Sequence, residues 1–83
     1  MDATFTEHAK HALGMRCIDK QWVFATLENP ELRETDPNDK ELERFYKGVP
    51  ERENRVLRVV VNTKLAPWRI VSVFFDRRMR GKL

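Results

Sequence analysis

The sequence predicts an α+β fold: two N-terminal helices packed on one face of a three- to four-stranded antiparallel sheet, with a short turn at the C-terminus. Three observations predict it. Apolar residues recur at helical spacing up to Asn29-Pro30. Beyond that point the period falls to two and β-branched and aromatic residues dominate. The strand-like runs are separated by loops of about five residues, as in an antiparallel meander. Residues 1–83 are expected to form one domain, because a chain of this length holds one small core.

The elements follow in order. In "TFTEHAKHALGMR", Thr4 and Glu7 form a T-x-x-E pattern, the capping box that satisfies free amide donors at a helix start. Phe5, Ala9, Ala12 and Arg16 then share a face, bordered by His8 and Met15. Gly14 weakens this helix by about 1 kcal/mol relative to Ala, which places its end near Arg16. In "CIDKQWVFATLENP", Asp19 is the N-cap, and Ile18 and Val23 form a hydrophobic staple around it. Trp22, Val23, Thr26 and Leu27 make the inward stripe, and Asn29-Pro30 ends the helix. The two helices are an αα-hairpin.

"ELRET" is a weak strand and "DPND" a turn. "LERFYKGV" alternates, with Leu42, Arg44 and Tyr46 on one face and Glu43, Phe45 and Lys47 on the other. "PEREN" is a loop, "RVLRVVVN" the strongest strand, "TKLAP" another loop and "WRIVSVFF" the last strand. Leu57, Val59, Val61, Val71, Val73 and Phe75 are expected to face the helices. Val56, Arg58, Val60, Ile70, Ser72 and Phe74 are expected on the open face, with Arg44 and Tyr46 beside them. Asp76 caps a terminal turn or pairs with a neighbouring arginine.

Composition limits the function classes. With 41% hydrophobic and 35% charged residues, a disordered chain is excluded. The lone Cys17 forms no internal disulfide and is expected to be a small buried residue. No secretory signal pattern and no membrane-length apolar run occur, so a cytoplasmic protein without membrane contact is expected. The net charge of +3 is uneven: residues 1–54 carry 12 acidic and 8 basic side chains, residues 55–83 carry 1 and 8. A basic half attracts an anionic partner, unless the two halves neutralise each other.

Sharp enzyme signatures are absent: no glycine-rich phosphate loop, no G-x-S-x-G and no C-x-x-C. His8 and His11 lie three apart on a helix but have no recognisable third ligand, so no metal and no cofactor are expected. His8 alone is a proton-transfer candidate. Arg44, Tyr46, Lys47 and Arg58 combine cations with an aromatic side chain on strands, the chemistry that RNA contact requires. The tail adds Arg77, Arg78, Arg80 and Lys82, of which Arg77 and Arg78 are the expected nucleic-acid contacts. Metal-free RNA cleavage needs a base for the 2′-hydroxyl, positive charge for the phosphate and an acid for the leaving oxygen. Arginine supplies the charge, while Tyr46, Lys47 or His8 would move protons.

The motifs "FTEHAKHALGMRCID", "LENPELRE", "RFYKGV", "LRVVVN" and "IVSVFFDRR" resemble a family of small bacterial domains, the domain of unknown function 4258. His8 matches that family's histidine, Arg16 matches the arginine of its Arg-Gly-Ile turn, and Cys17 replaces the glycine. A positive φ at Cys17 would cost roughly 1 kcal/mol or more. That family in turn looks like a relative of the RelE/ParE toxin superfamily. The resemblance implies the fold above, and a toxin-type RNA-binding protein or messenger-RNA endoribonuclease acting on RNA or the ribosome and neutralised by an antitoxin. Some members of the superfamily poison gyrase instead. The alternative is a non-catalytic protein-interaction module, or a homodimer that covers Val56, Val60, Ile70 and Phe74.

Overall fold

A computed structural model describes residues 2–83. Strand β1 (Ala3–Phe5) leads into helices α1 (Glu7–Met15) and α2 (Lys20–Glu28). Strands β2 (Leu32–Thr35), β3 (Leu42–Val49), β4 (Arg55–Asn62) and β5 (Trp68–Phe75) follow, with single 3₁₀ turns at Pro50–Arg52 and Arg77–Met79. The result is α+β with a five-stranded mixed sheet in the order β1-β5-β4-β3-β2. The antiparallel run β2 to β5 is the expected meander. The departure is β1, a three-residue strand that pairs parallel to β5 through Ala3–Trp68, Thr4–Arg69 and Phe5–Ile70. No described helix is long and apolar enough to cross a membrane.

β1 also moves the first cap. Thr4 and Phe5 are extended and held in the sheet, so the T-x-x-E capping box does not form. Thr6 is the N-cap instead, its hydroxyl accepting from the Ala9 N–H at 3.1 Å. The other end of α1 closes as a Schellman motif: the Ile18 N–H donates to the Leu13 carbonyl (3.0 Å) and the Cys17 N–H to that of Gly14 (3.4 Å). Cys17 occupies the position that usually holds glycine, with φ at 52°. It lies outside the helix and is exposed rather than buried as expected. Asp19 caps α2 as the sequence predicts, accepting from the Gln21 N–H at 2.8 Å.

The core lies between the helices and one sheet face. Ala9, Ala12, Leu13, Ile18, Val23 and Leu27 meet Phe45, Val49, Leu57, Val59, Val61, Ile70 and Val73. Ile70 was expected on the open face. A β-bulge corrects this: Val60 pairs with Ser72 and Val61 with Ile70, which leaves Val71 as the extra residue. Alternation therefore inverts below Val71, Ile70 turns into the core, and half-buried Val71 is not the core residue that simple alternation assigned. On the opposite face Val56 and Val60 are themselves buried, and Phe74 is half-buried.

Candidate nucleic-acid interface

The residues expected to carry RNA chemistry separate into three places. Arg44, Tyr46 and Arg58 share the open face, where β3–β4 pairing sets Tyr46 opposite Arg58. They are engaged with one another and with acids. The Tyr46 hydroxyl donates to Glu34 Oε1 at 3.1 Å and accepts from Arg58 Nη1 at 3.4 Å. The Arg58 guanidinium stacks 4.2 Å from the Phe74 ring centroid and lies 3.7 Å from Asp76 Oδ2, and its buried Nε has no hydrogen-bond partner. Arg44 Nε donates to Asp36 Oδ2 at 3.1 Å. Burial pulls the Arg44 pKa down, but hydrogen bonds to Asp36 and Tyr46 outweigh it and leave the pKa raised. Tyr46 is 2% and Arg58 8% exposed, so both sit in the interior of this face rather than on its surface. Lys47 points to the other side, toward the helices, where its ammonium donates to the Asn29 carbonyl at 3.0 Å. His8 is exposed on α1; with His11, Ala12, Met15 and Arg16 it lines a hollow of about 310 Å³.

Among the described residues, five of the six arginines without an ion pair gather at one end of the sheet. Antiparallel pairing sets Leu57 opposite Phe75, which brings the start of β4 beside the end of β5. Arg55 opens β4, Arg52 belongs to the turn before it, and Arg77 follows β5. Arg16 reaches the same place from the end of α1. β1 pairs only with Trp68 to Ile70, so the outer edge of β5 is strandless beyond that point. Arg16 Nη1 donates there to the Val73 carbonyl at 2.9 Å. Arg16, Arg52, Arg55, Arg77, Phe74 and Phe75 line one hollow of about 370 Å³. Arg55, Phe75 and Arg77 also line a second, of about 400 Å³, together with Val56, Asp76 and Arg80. The two adjoining hollows, which share three lining residues, are together called the groove.

Stacking orders these arginines. Arg55 lies 4.6 Å and Arg52 5.5 Å from the Phe75 ring centroid; Arg52 is also 5.9 Å from Trp22, and Arg16 6.0 Å from Phe74. Arg52 Nη1 further donates to the Cys17 carbonyl at 3.3 Å, and Arg80 Nη2 to that of Glu53 at 3.4 Å. Among the described residues, none of Arg16, Arg52, Arg55, Arg77 and Arg80 has a carboxylate within ion-pair distance. Among the described residues no ion pair links the two halves of the chain. The ion pairs Lys10–Glu7, Arg33–Glu43 and Arg44–Asp36 stay within residues 1–54, and Arg58–Asp76 and Arg78–Asp76 within 55–83.

Asp76 is the one acid at the groove, and it is buried. It lies between Arg58 (3.7 Å) and Arg78 (3.6 Å), and its Oδ1 accepts from the Arg78 N–H at 3.0 Å. This caps the 3₁₀ turn and fixes where the tail leaves the sheet. Of the two expected tail contacts, Arg77 lines both hollows, whereas the Arg78 side chain is 80% exposed. Arg52 and Arg55 were not among the expected site residues, yet the meander topology already implies their place. Arginines before one strand and after its antiparallel neighbour meet at one end of the sheet.

A five-stranded sheet backed by two helices, with an arginine-lined groove at one end, defines a small α+β domain. The chain belongs to the family described as domain of unknown function (DUF4258), whose model matches residues 5–75. No curated protein and no solved structure matches it.

Proposed function

We propose that this chain is an RNA-binding protein of the RelE/ParE-like toxin type, and that it holds single-stranded RNA in the groove of Arg16, Arg52, Arg55, Arg77 and Arg80. The observation that carries the reading is that these five arginines share one groove beside Phe74 and Phe75 with no carboxylate pairing them. Guanidinium groups hold phosphates with paired N–H bonds, and their planes stack on unpaired bases. The groove faces an open strand edge and no deep cleft, which suits a strand more than a small metabolite.

Messenger-RNA cleavage belongs to the same proposal. Arg44, Tyr46 and Arg58 are tied to Asp36, Glu34 and Asp76. His8 is a proton-transfer candidate beside the groove, because Arg16 lines both its hollow and that of the arginines. The alternative, a homodimer through the open face, rested on bare apolar side chains. Val56 and Val60 are buried within the chain and Ile70 lies in the core, which removes that argument.

The test is expression and RNA binding of the wild type beside Arg55→Ala/Arg77→Ala. The wild type is expected to inhibit growth, bind single-stranded RNA and cut messenger RNA on ribosomes, and the double variant to lose all three while staying folded. Harmless expression together with no RNA binding by the wild type overturns the proposal. Recovery of one acidic protein in place of RNA would make the groove a protein-docking surface.

A further inference from the structure

The arginines are not strung along the groove; four of them converge. Arg16, Arg52, Arg55 and Arg77 line the single hollow of about 370 Å³, and no acidic side chain lines it with them. They arrive from three separate places in the fold: the end of α1, the turn and strand start at β4, and the exit of β5. An RNA backbone lying across a surface presents one negative charge per phosphodiester, spaced along the strand, and is met by cations spaced likewise. Four cations lining one hollow fit a group that concentrates charge. A terminal phosphomonoester is such a group, with close to two negative charges near neutral pH and three acceptor oxygens.

The orientation of the arginines supports the same ligand. Arg52 and Arg55 both stack on Phe75, and Arg16 is held by the Val73 carbonyl near Phe74. Arg16 and Arg52 are each also held by a backbone carbonyl, so part of their side-chain freedom is already spent before a compact anion binds. The second hollow shares Arg55, Phe75 and Arg77 with the first and adds only Arg80 as a further cation. It is the less charged side, where the rest of the strand would leave.

We infer that the arginine hollow recognises the phosphorylated end of a single-stranded RNA, the terminal phosphomonoester sitting among Arg16, Arg52, Arg55 and Arg77 and the adjoining nucleotides running toward Arg80. This rests on the RNA-binding reading above and narrows it to strand ends. It makes the protein a reader of RNA that another nuclease or phosphatase has left with a particular end.

Binding of one short single-stranded RNA in three forms tests this: 5′-phosphorylated, 3′-phosphorylated, and hydroxyl at both ends. One phosphorylated form is expected to bind at least about tenfold tighter than the hydroxyl form, the equivalent of one additional charge-assisted hydrogen bond. The form that gains identifies the end recognised. Arg16→Lys keeps the charge but loses the planar fork, and is expected to weaken the phosphorylated form more than the hydroxyl form. Arg16→Ala is expected to abolish the preference. Equal affinity for all three forms overturns the strand-end inference and leaves the groove reading intact. Failure of all three to bind overturns both.

Discussion

The proposed function is tested most directly by the salt dependence of RNA binding, which counts the arginines that act in the groove. Each phosphate neutralised on a single strand releases bound counterions and lowers the logarithmic salt slope by about 0.7. Four arginines line the main hollow and none is held by a carboxylate. On a strand with hydroxyl ends, where each arginine meets a separate backbone phosphate, four contacts give a slope of about −3, so raising salt from about 50 to about 200 mM should weaken binding about 50-fold. Arg55→Ala with Arg77→Ala removes two of the four. The slope should fall to about −1.4, and the same rise in salt should then cost only about sevenfold. Neither residue belongs to an ion pair, and the stacking of Arg55 on Phe75 is worth about 1 kcal/mol at most at such a site, so the double variant should remain folded. Fluorescence anisotropy with a labelled single strand, repeated across a salt series, gives both slopes, and thermal melting checks the fold. A flat wild-type response, or a double variant with the wild-type slope, refutes the assignment of phosphate binding to this groove.

Two stability predictions follow from other parts of the molecule. Cys17→Gly should stabilise the fold by about 0.5 to 1 kcal/mol: relief of a left-handed non-glycine residue is worth about 1 to 2, and the greater freedom of glycine in the unfolded chain offsets part of it. Chemical denaturation measures this, and a destabilised Cys17→Gly would show that the Schellman cap is not strained. Glu43 has its pKa lowered to about 2, first by the hydrogen bonds from Arg33 and then by the one from Thr63. A folded pKa below the unfolded one means that this stabilisation is present above about pH 4.5 and is lost as pH falls through about 2. The pair is partly exposed, so the contribution is about 1 kcal/mol. Glu43→Gln should lower stability at pH 7 by that amount and flatten the acid limb of a stability–pH curve; an unchanged acid limb contradicts the assignment.

Much of the fold was legible because the signals were local. The αα-hairpin shows in its apolar spacing, in Asp19 and in Asn29-Pro30, and strands β2 to β5 show in their alternation and turns. β1 was not legible. Three residues carry no periodicity, and pairing with a strand more than sixty residues away leaves no mark in "ATF". The Thr4–Glu7 pattern was a chance match, since the real cap falls at the first residue the sheet releases. The face of Ile70 was lost at a bulge, where one additional residue reverses every side chain beyond it. In the site, Tyr46 and Arg58 were rightly placed together, but burial and pairing cannot be seen in a strand's alternation. Arg52, Arg55 and Arg77 needed only the meander topology, whereas Arg16 needed the end of α1 to lie beside the bare edge of β5.

Asp76, the buried acid that lines the groove, fixes where its C-terminal arginines leave the sheet. Asp76 is the only acid among residues 55–83, and it serves Arg58 from below and the tail from above. A buried ion pair is poor evidence of stability, because desolvation consumes most of the attraction. Its value here is position. The Asp76 N–H is anchored on the Val56 carbonyl at 2.8 Å, and its carboxylate caps the turn that carries Arg77. Arg77 and Arg80 lie beyond the residues that the family model matches, whereas Arg16, Arg52, Arg55, Phe74 and Phe75 lie within them. Asp76 therefore fixes the exit of Arg77 beside the arginines that the domain already presents, while its carboxylate, engaged by Arg58 and Arg78, forms no ion pair with them.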